Sequence, residues 1–220
     1  MNIERPEVTV CGLVLTSRDS GVAGKRLDII TRENGRMIVF APQSRRNRPR
    51  IGTLLPGSRM HLTLRRDEAG WQVLQSEGTV LVDVMTWTYE DWLSYYAFPL
   101  WLAELFPTEE REAKLYELTE RYLTLLASKH LVISTLIACW QAAVLAGYAP
   151  MVLAENGKLP LDAEGKAALR LILSYRWNPS ETITLKNGIW IRLAQTLIYF
   201  AEYHVGVDVP ALAELVKEKY

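Results

Sequence analysis

Four arginines in six positions, Arg45, Arg46, Arg48 and Arg50, bracket Asn47 and Pro49, and no acidic residue falls between Glu33 and Asp67. Guanidinium groups at this density cannot all be buried, because each would need its own partner away from water. They point outward. The chemistry they suit is neutralisation of phosphate, since a planar, permanently charged fork of donors displaces counterions from a nucleic-acid backbone. A solvated loop with no ligand is the competing explanation, because short Arg-rich runs occur in both settings. Lys25, Arg26 and Arg36 flank the run and extend the same candidate DNA-binding set.

A row of cations needs a platform, and the surrounding sequence reads as one. Residues 8–16 are β-rich and apolar, with Gly12 as a bend or bulge. Residues 25–32 alternate, and Asn34-Gly35 signals a tight hairpin in which both residues take positive φ. Residues 36–41 return as a third strand, 58–66 alternate again, and 71–76 form a fifth. Five short antiparallel strands within about 80 residues predict a small closed barrel, for which the OB-fold is the common nucleic-acid-binding form. Only Phe40 and Trp71 are aromatic in residues 1–80, so contact there is expected to be mostly electrostatic rather than by base stacking.

At Val82 strand signals give way to helices. The expected organisation is therefore α+β in two parts, an OB-fold domain over 1–80 and an all-α helical domain over 81–220. Charge divides the same way: 13 Lys and Arg against 8 Asp and Glu in the first part, a balance of +5, and 12 against 17 in the second, −5. The basic part suits a polyanion and the acidic part repels one. In the helical part, Pro107 and Thr108 read as a helix start, with Glu109 and Glu110 favoured by its dipole. Asp162 reads as the cap of a helix running to Tyr175, and a long helix from Asn187 or Gly188 ends at Gly206. Residues 151–160 read as a loop.

Leu131 to Ala154 carries no charge, but Gly147 to Pro150 should stop the helix near Gly147, which makes a buried bundle helix the preferred reading over a membrane span. The aromatic run containing Trp87, Trp92 and Trp101 is read as interdomain core or as a groove for an amphipathic peptide, and these three tryptophans are the candidate partner-binding residues.

No enzyme is expected. Gly21 to Lys25 has the wrong spacing for a phosphate-binding P-loop, and no serine-hydrolase or zinc-protease motif occurs. Glu90-Asp91 are adjacent and diverge on a helix, which suits a solvated edge rather than acid–base chemistry. Two cysteines, Cys11 and Cys139, and three histidines match no metal or redox spacing, so no metal, cofactor or small-molecule substrate is predicted. The start MNIERPEV lacks an apolar signal region, and a reducing, cytoplasmic setting is expected.

The order of elements resembles the bacterial RecO family of recombination mediators. The resemblance rests on GLVLTSRD, on LDIITRENGR with Thr31 and Gly35-Arg36, on Ala41 followed by Ser44-Arg45-Arg46, and on Leu55-Pro56. Gly147-Tyr148-Ala149-Pro150 is similar to the family's G-Y-x-P, and Tyr203-His204-Val205-Gly206 to its Y-H-x-G. The resemblance implies an OB-fold with a helical C-terminal domain, and binding of single- and double-stranded DNA without sequence specificity. It also implies strand annealing, RecA loading in gap repair by the RecF pathway, nucleoid association, and RecR and the tail of single-strand-binding protein as partners. An interaction adaptor or an RNA-binding barrel is the alternative. Departures from the family pattern are plain. Residues 151–162 hold no cysteine where many members carry a four-cysteine zinc site, the usual A-K-G-A-R is Ala41-Pro42-Gln43-Ser44-Arg45, and Leu136 to Cys139 lacks the charges of the family's Arg-Phe-Glu.

Overall fold

A computed structural model describes residues 7–21, 24–42, 54–126 and 130–216. Arg45, Arg46, Arg48 and Arg50 lie outside the described residues. The chain divides into two compact units, Met1–Thr86 with Pro107–Thr124, and Trp87–Phe106 with Leu125–Tyr220. The single cut expected between 80 and 81 falls after Thr86 in this division, and the returning segment Pro107–Thr124 groups with the barrel.

Five strands form a closed barrel: β1 (Glu7–Asp19), β2 (Gly24–Thr31), β3 (Gly35–Pro42), β4 (Ser58–Asp67) and β5 (Gly70–Val80), in the order β1-β2-β3-β5-β4. The β3–β5 contact is parallel and the other pairings are antiparallel, which is the OB-fold closure. Alternation directs Val10, Val14, Leu27, Ile29, Met37, Val39, Leu62 and Leu64 inward to one buried cluster. Bulges interrupt the register between Val14 and Thr16 and between Thr63 and Leu64.

The β2–β3 connection is longer than a two-residue hairpin. The turn covers Arg32–Asn34, and Gly35 alone is left-handed, at φ 66°. Thr31 sets this geometry, because its hydroxyl accepts from the Asn34 N–H at 3.0 Å and donates to the Gly35 carbonyl at 3.0 Å. Gly35 is also where the returning segment comes closest, and a Cβ there would collide with the Glu110 carbonyl oxygen.

That segment is not the expected helix start. Thr108 forms a parallel bridge with Arg36, and the Glu109 N–H donates to the Arg36 carbonyl at 2.7 Å. Glu109 sits at φ 65°, and helix α2 begins only at Ala113, running to Leu126. Main-chain pairing with β3 overrides the local helix signals. The first turns of α2 then lie over one end of the outer barrel face. Tyr116 Oη is 3.5 Å from Cys11 Sγ, the Arg32 guanidinium stands 4.9 Å from the Tyr116 ring centre, and Arg59 pairs with Glu120 at 3.0 Å. Leu13 and Ile30, paired across β1 and β2 on that outer face, are fully buried.

The second unit contains α1 (Tyr89–Leu105), α3 (Leu131–Leu145), α4 (Pro150–Glu155), α5 (Ala163–Leu173) and α6 (Asn187–Phe200). Thr88 and Asp91 close a capping box at the start of α1, so Asp91 serves the helix end. Asp162 caps α5 as expected, accepting from the Gly165 N–H at 2.8 Å. Two differences from the sequence reading are local: α4 occupies part of the expected loop, and α6 passes into a π-helical turn, Ala201–Val205, ended by left-handed Gly206. Helix α3 is buried from Ser134 to Trp140, packing with α1, α5 and α6. No helix among the described residues is long and apolar enough to cross a membrane.

Candidate nucleic-acid interface

With Leu27, Ile29, Val39 and Ala41 in the barrel interior, Arg26 and Asp28 on β2 and Arg36, Ile38 and Phe40 on β3 face outward. The β1 bulge brings Thr16 opposite Asp28, which sets Arg18 directly across from Arg26 on the same outer face. Across β2 and β3 the next position is Phe40, paired with Arg26, and beyond it Gln72 on β5. An outward row therefore runs Arg18, Arg26, Phe40, Gln72. Arg18 and Arg26 are exposed and Phe40 is half-buried.

Asp28 lies beside this row. It accepts from Arg36 Nε at 3.1 Å and from Nη2 at 2.7 Å, and both side chains are only 12% exposed. Burial raises the Asp28 carboxyl above its usual range, against the pull of Arg36 and, behind it, of Arg26 and Arg18. Three guanidinium groups thus act on one carboxylate, leaving the patch positive. Arg36 is committed to Asp28 and holds the hairpin; Arg18 and Arg26 supply the outward charge.

Lys25 stands at the end of β2 and is half-buried, 3.7 Å from the carboxylate of Asp19, itself opposite it on β1. Across the barrel the outer face is mixed, with Glu7 opposite Arg65 and Glu77 opposite His61. His61 is exposed there, with an acid as its neighbour. The basic face is the β1–β2–β3 side.

The structure brings two of the three candidate partner-binding tryptophans together. Trp87 and Trp92 meet edge to face at 5.3 Å, and Trp92 stacks on Tyr96 at 5.7 Å; both tryptophans are half-buried. Trp101 is elsewhere. It is fully buried in the core of the helical unit, donating from Nε1 to the Cys139 carbonyl at 2.9 Å, and it offers no surface to a partner. Cys139 is likewise wholly buried, and burial pushes its thiol pKa up.

Sequence reasoning missed Arg18 and Phe40 as members of one row. Their types were visible, but their adjacency depends on the β1 bulge, which falls between Val14 and Thr16 rather than at Gly12, where the sequence suggested a bend or bulge. Among the described residues no group of three or more His, Cys, Asp or Glu side chains is placed to hold a metal ion. A scan against protein-family models finds no match, and a search of the curated proteins finds none.

Proposed function

We propose that this chain is a RecO-like, non-enzymatic mediator that binds single- and double-stranded DNA without sequence specificity, promotes strand annealing and assists RecA loading at gaps. The observation that carries the reading is the Arg18–Arg26 pair. Like charges directly opposite on neighbouring strands destabilise a sheet, and an anion lying between them reverses the sign of that term. A phosphate backbone is such an anion. In OB barrels the β2–β3 face and the loops beside it are the nucleic-acid surface, and the row lies there. In sequence, the four-arginine run begins three residues after Pro42, where β3 ends.

Annealing follows from charge. Two phosphate backbones repel each other, and a sequence-blind cationic face that neutralises both lowers the barrier to pairing. Protein partners, RecR and the tail of single-strand-binding protein, belong to the same proposal. The half-buried Trp87–Trp92 pair supports a peptide-binding surface in the helical unit.

Mixing complementary oligonucleotides with the purified protein tests the reading. Faster annealing that fades as salt rises, with binding to both single strands and duplex, is the expected result. Absence of binding to DNA at low salt would overturn it, and tighter binding to RNA than to either DNA form would favour an RNA-binding barrel.

A further inference from the structure

The β4–β5 hairpin carries a second arrangement that the basic row does not use. Arg66, near the end of β4, pairs with Trp71, near the start of β5, and its guanidinium lies 5.4 Å from the Trp71 ring centre. Both side chains aim donors at one carboxylate. Arg66 Nη1 donates to Glu109 Oε2 at 2.8 Å, and Trp71 Nε1 donates to Glu109 Oε1 at 3.3 Å. Glu109 belongs to the returning segment, where its N–H is tied to Arg36 and its backbone is left-handed at φ 65°. Non-glycine residues in that region carry strain and concentrate at functional sites.

A carboxylate held by two converging donors has the charge and fork of a phosphodiester, whose two non-bridging oxygens accept in the same way. The contact is open to water, with Arg66 52% and Glu109 40% exposed, so exchange is not sterically barred, and exposed ion pairs of this kind are weak. Its position is apt. Trp71 pairs with inward-facing Val39 and packs against the interior cluster, while its neighbour Gln72 pairs with outward-facing Phe40, so Arg66 and Trp71 stand beside the β4–β5 turn, next to the basic row rather than in it. The β4–β5 loop is also one of the two that contact oligonucleotides in OB barrels.

We propose that Arg66 and Trp71 form a phosphate subsite for single-stranded nucleic acid, occupied in the unbound protein by the Glu109 carboxylate, which a backbone phosphate displaces. The subsite rests on the nucleic-acid-binding reading and would take a phosphate of a strand that passes from the row of Arg18, Arg26 and Phe40 to the β4–β5 turn. Glu109 acts as a built-in competitor that weakens binding of any strand unable to reach the hairpin.

The test titrates an oligothymidine with full-length wild type, Glu109→Gln, Arg66→Ala and the double variant at several salt concentrations. In wild type, Arg66 exchanges one anion for another and contributes little to the salt slope. In Glu109→Gln the same contact releases an additional counterion, so the slope should steepen by about 0.7. Affinity should rise roughly two- to fivefold, the range spanned by an exposed ion pair. Arg66→Ala, an exposed truncation that leaves folding undisturbed, should weaken binding and cancel the effect of Glu109→Gln in the double variant. Wild-type affinity and slope in both single variants, beside a loss of binding in Arg18→Ala/Arg26→Ala, would remove the subsite and leave the main reading standing. Failure of wild type itself to bind at low salt would remove both.

Discussion

Arg18 on β1 lies directly across from Arg26 on β2, on the outer face of the barrel, with no residue between them in the register. Such a pair is a cost in the unbound fold, since like charges facing each other across strands are destabilising. Replacing either residue by alanine should leave stability unchanged or raise it by a few tenths of a kcal/mol. DNA affinity should fall in the same variants. Denaturant titration beside a binding isotherm separates the two quantities, and a parallel loss of both would mean that the arginines serve the fold.

Asp28 has a distinct pH signature. Burial raises its carboxyl above the usual aspartate value of 3.8, so the folded protein holds this proton more tightly than the unfolded chain does. Its contribution to stability is therefore fully present below the unfolded value and is lost as pH rises through the folded one. Asp28→Asn cannot titrate. Its stability relative to wild type should improve as pH rises from about 4 through the weakly acidic range and then level off. Unfolding titrations of both proteins across that range give the difference directly, and a flat or falling difference would contradict the assignment. Asp28→Ala should cost about 1.5–3 kcal/mol, because it removes the charge-assisted hydrogen bonds that Asp28 accepts from the Arg36 guanidinium.

Gly35 answers two demands at once, a left-handed φ of 66° and close approach of the Glu110 carbonyl. Gly35→Ala should destabilise the barrel by more than about 1 kcal/mol, since neither demand can be met with a Cβ present. Chemical denaturation measures this. Gly157→Ala is the matched control: its φ is 70° with open space around it, so it carries the backbone cost without the collision and should lose less. Equal losses would mean that contact with residues 107–112 is unimportant at Gly35.

Much of this architecture was readable from local pattern. Alternation placed β2 and β4 within a residue or two, the Asn34-Gly35 turn signal placed β3, and Asp162 capped its helix as expected, because these signals act over a few residues. Residues 107–112 were misread for the opposite reason. Pro107, Thr108, Glu109 and Glu110 satisfy the local rules for a helix start, yet Thr108 and Glu109 pair with Arg36, some seventy positions earlier in the chain. Nothing local encodes that. The same holds for charge: Arg36 was legible as a cation, but its engagement with Asp28 follows from strand register. Trp101 was legible as a large aromatic, and whether it faced solvent or Cys139 depended on the packing of α1 against α3.

The tryptophans separate by burial. Trp101→Ala removes a fully buried indole and its hydrogen bond and should cost about 3–5 kcal/mol. Trp92→Ala, from a half-buried position, should cost clearly less while weakening binding of an acidic, aromatic-ended tail peptide. Thermal unfolding and peptide titration report the two effects; unchanged peptide affinity in a folded Trp92→Ala protein would move the partner surface away from this cluster.

The central claim is that the β1–β2–β3 face neutralises phosphates through Arg18 and Arg26. It is met most directly by the salt dependence of single-strand binding in wild type and in Arg18→Ala/Arg26→Ala. Each lost contact should flatten the plot of log K against log salt by about 0.7, so the double variant should lose about 1.4 from the slope. Its annealing rate should fall with it. A folded double variant with the wild-type slope and wild-type annealing would contradict the account.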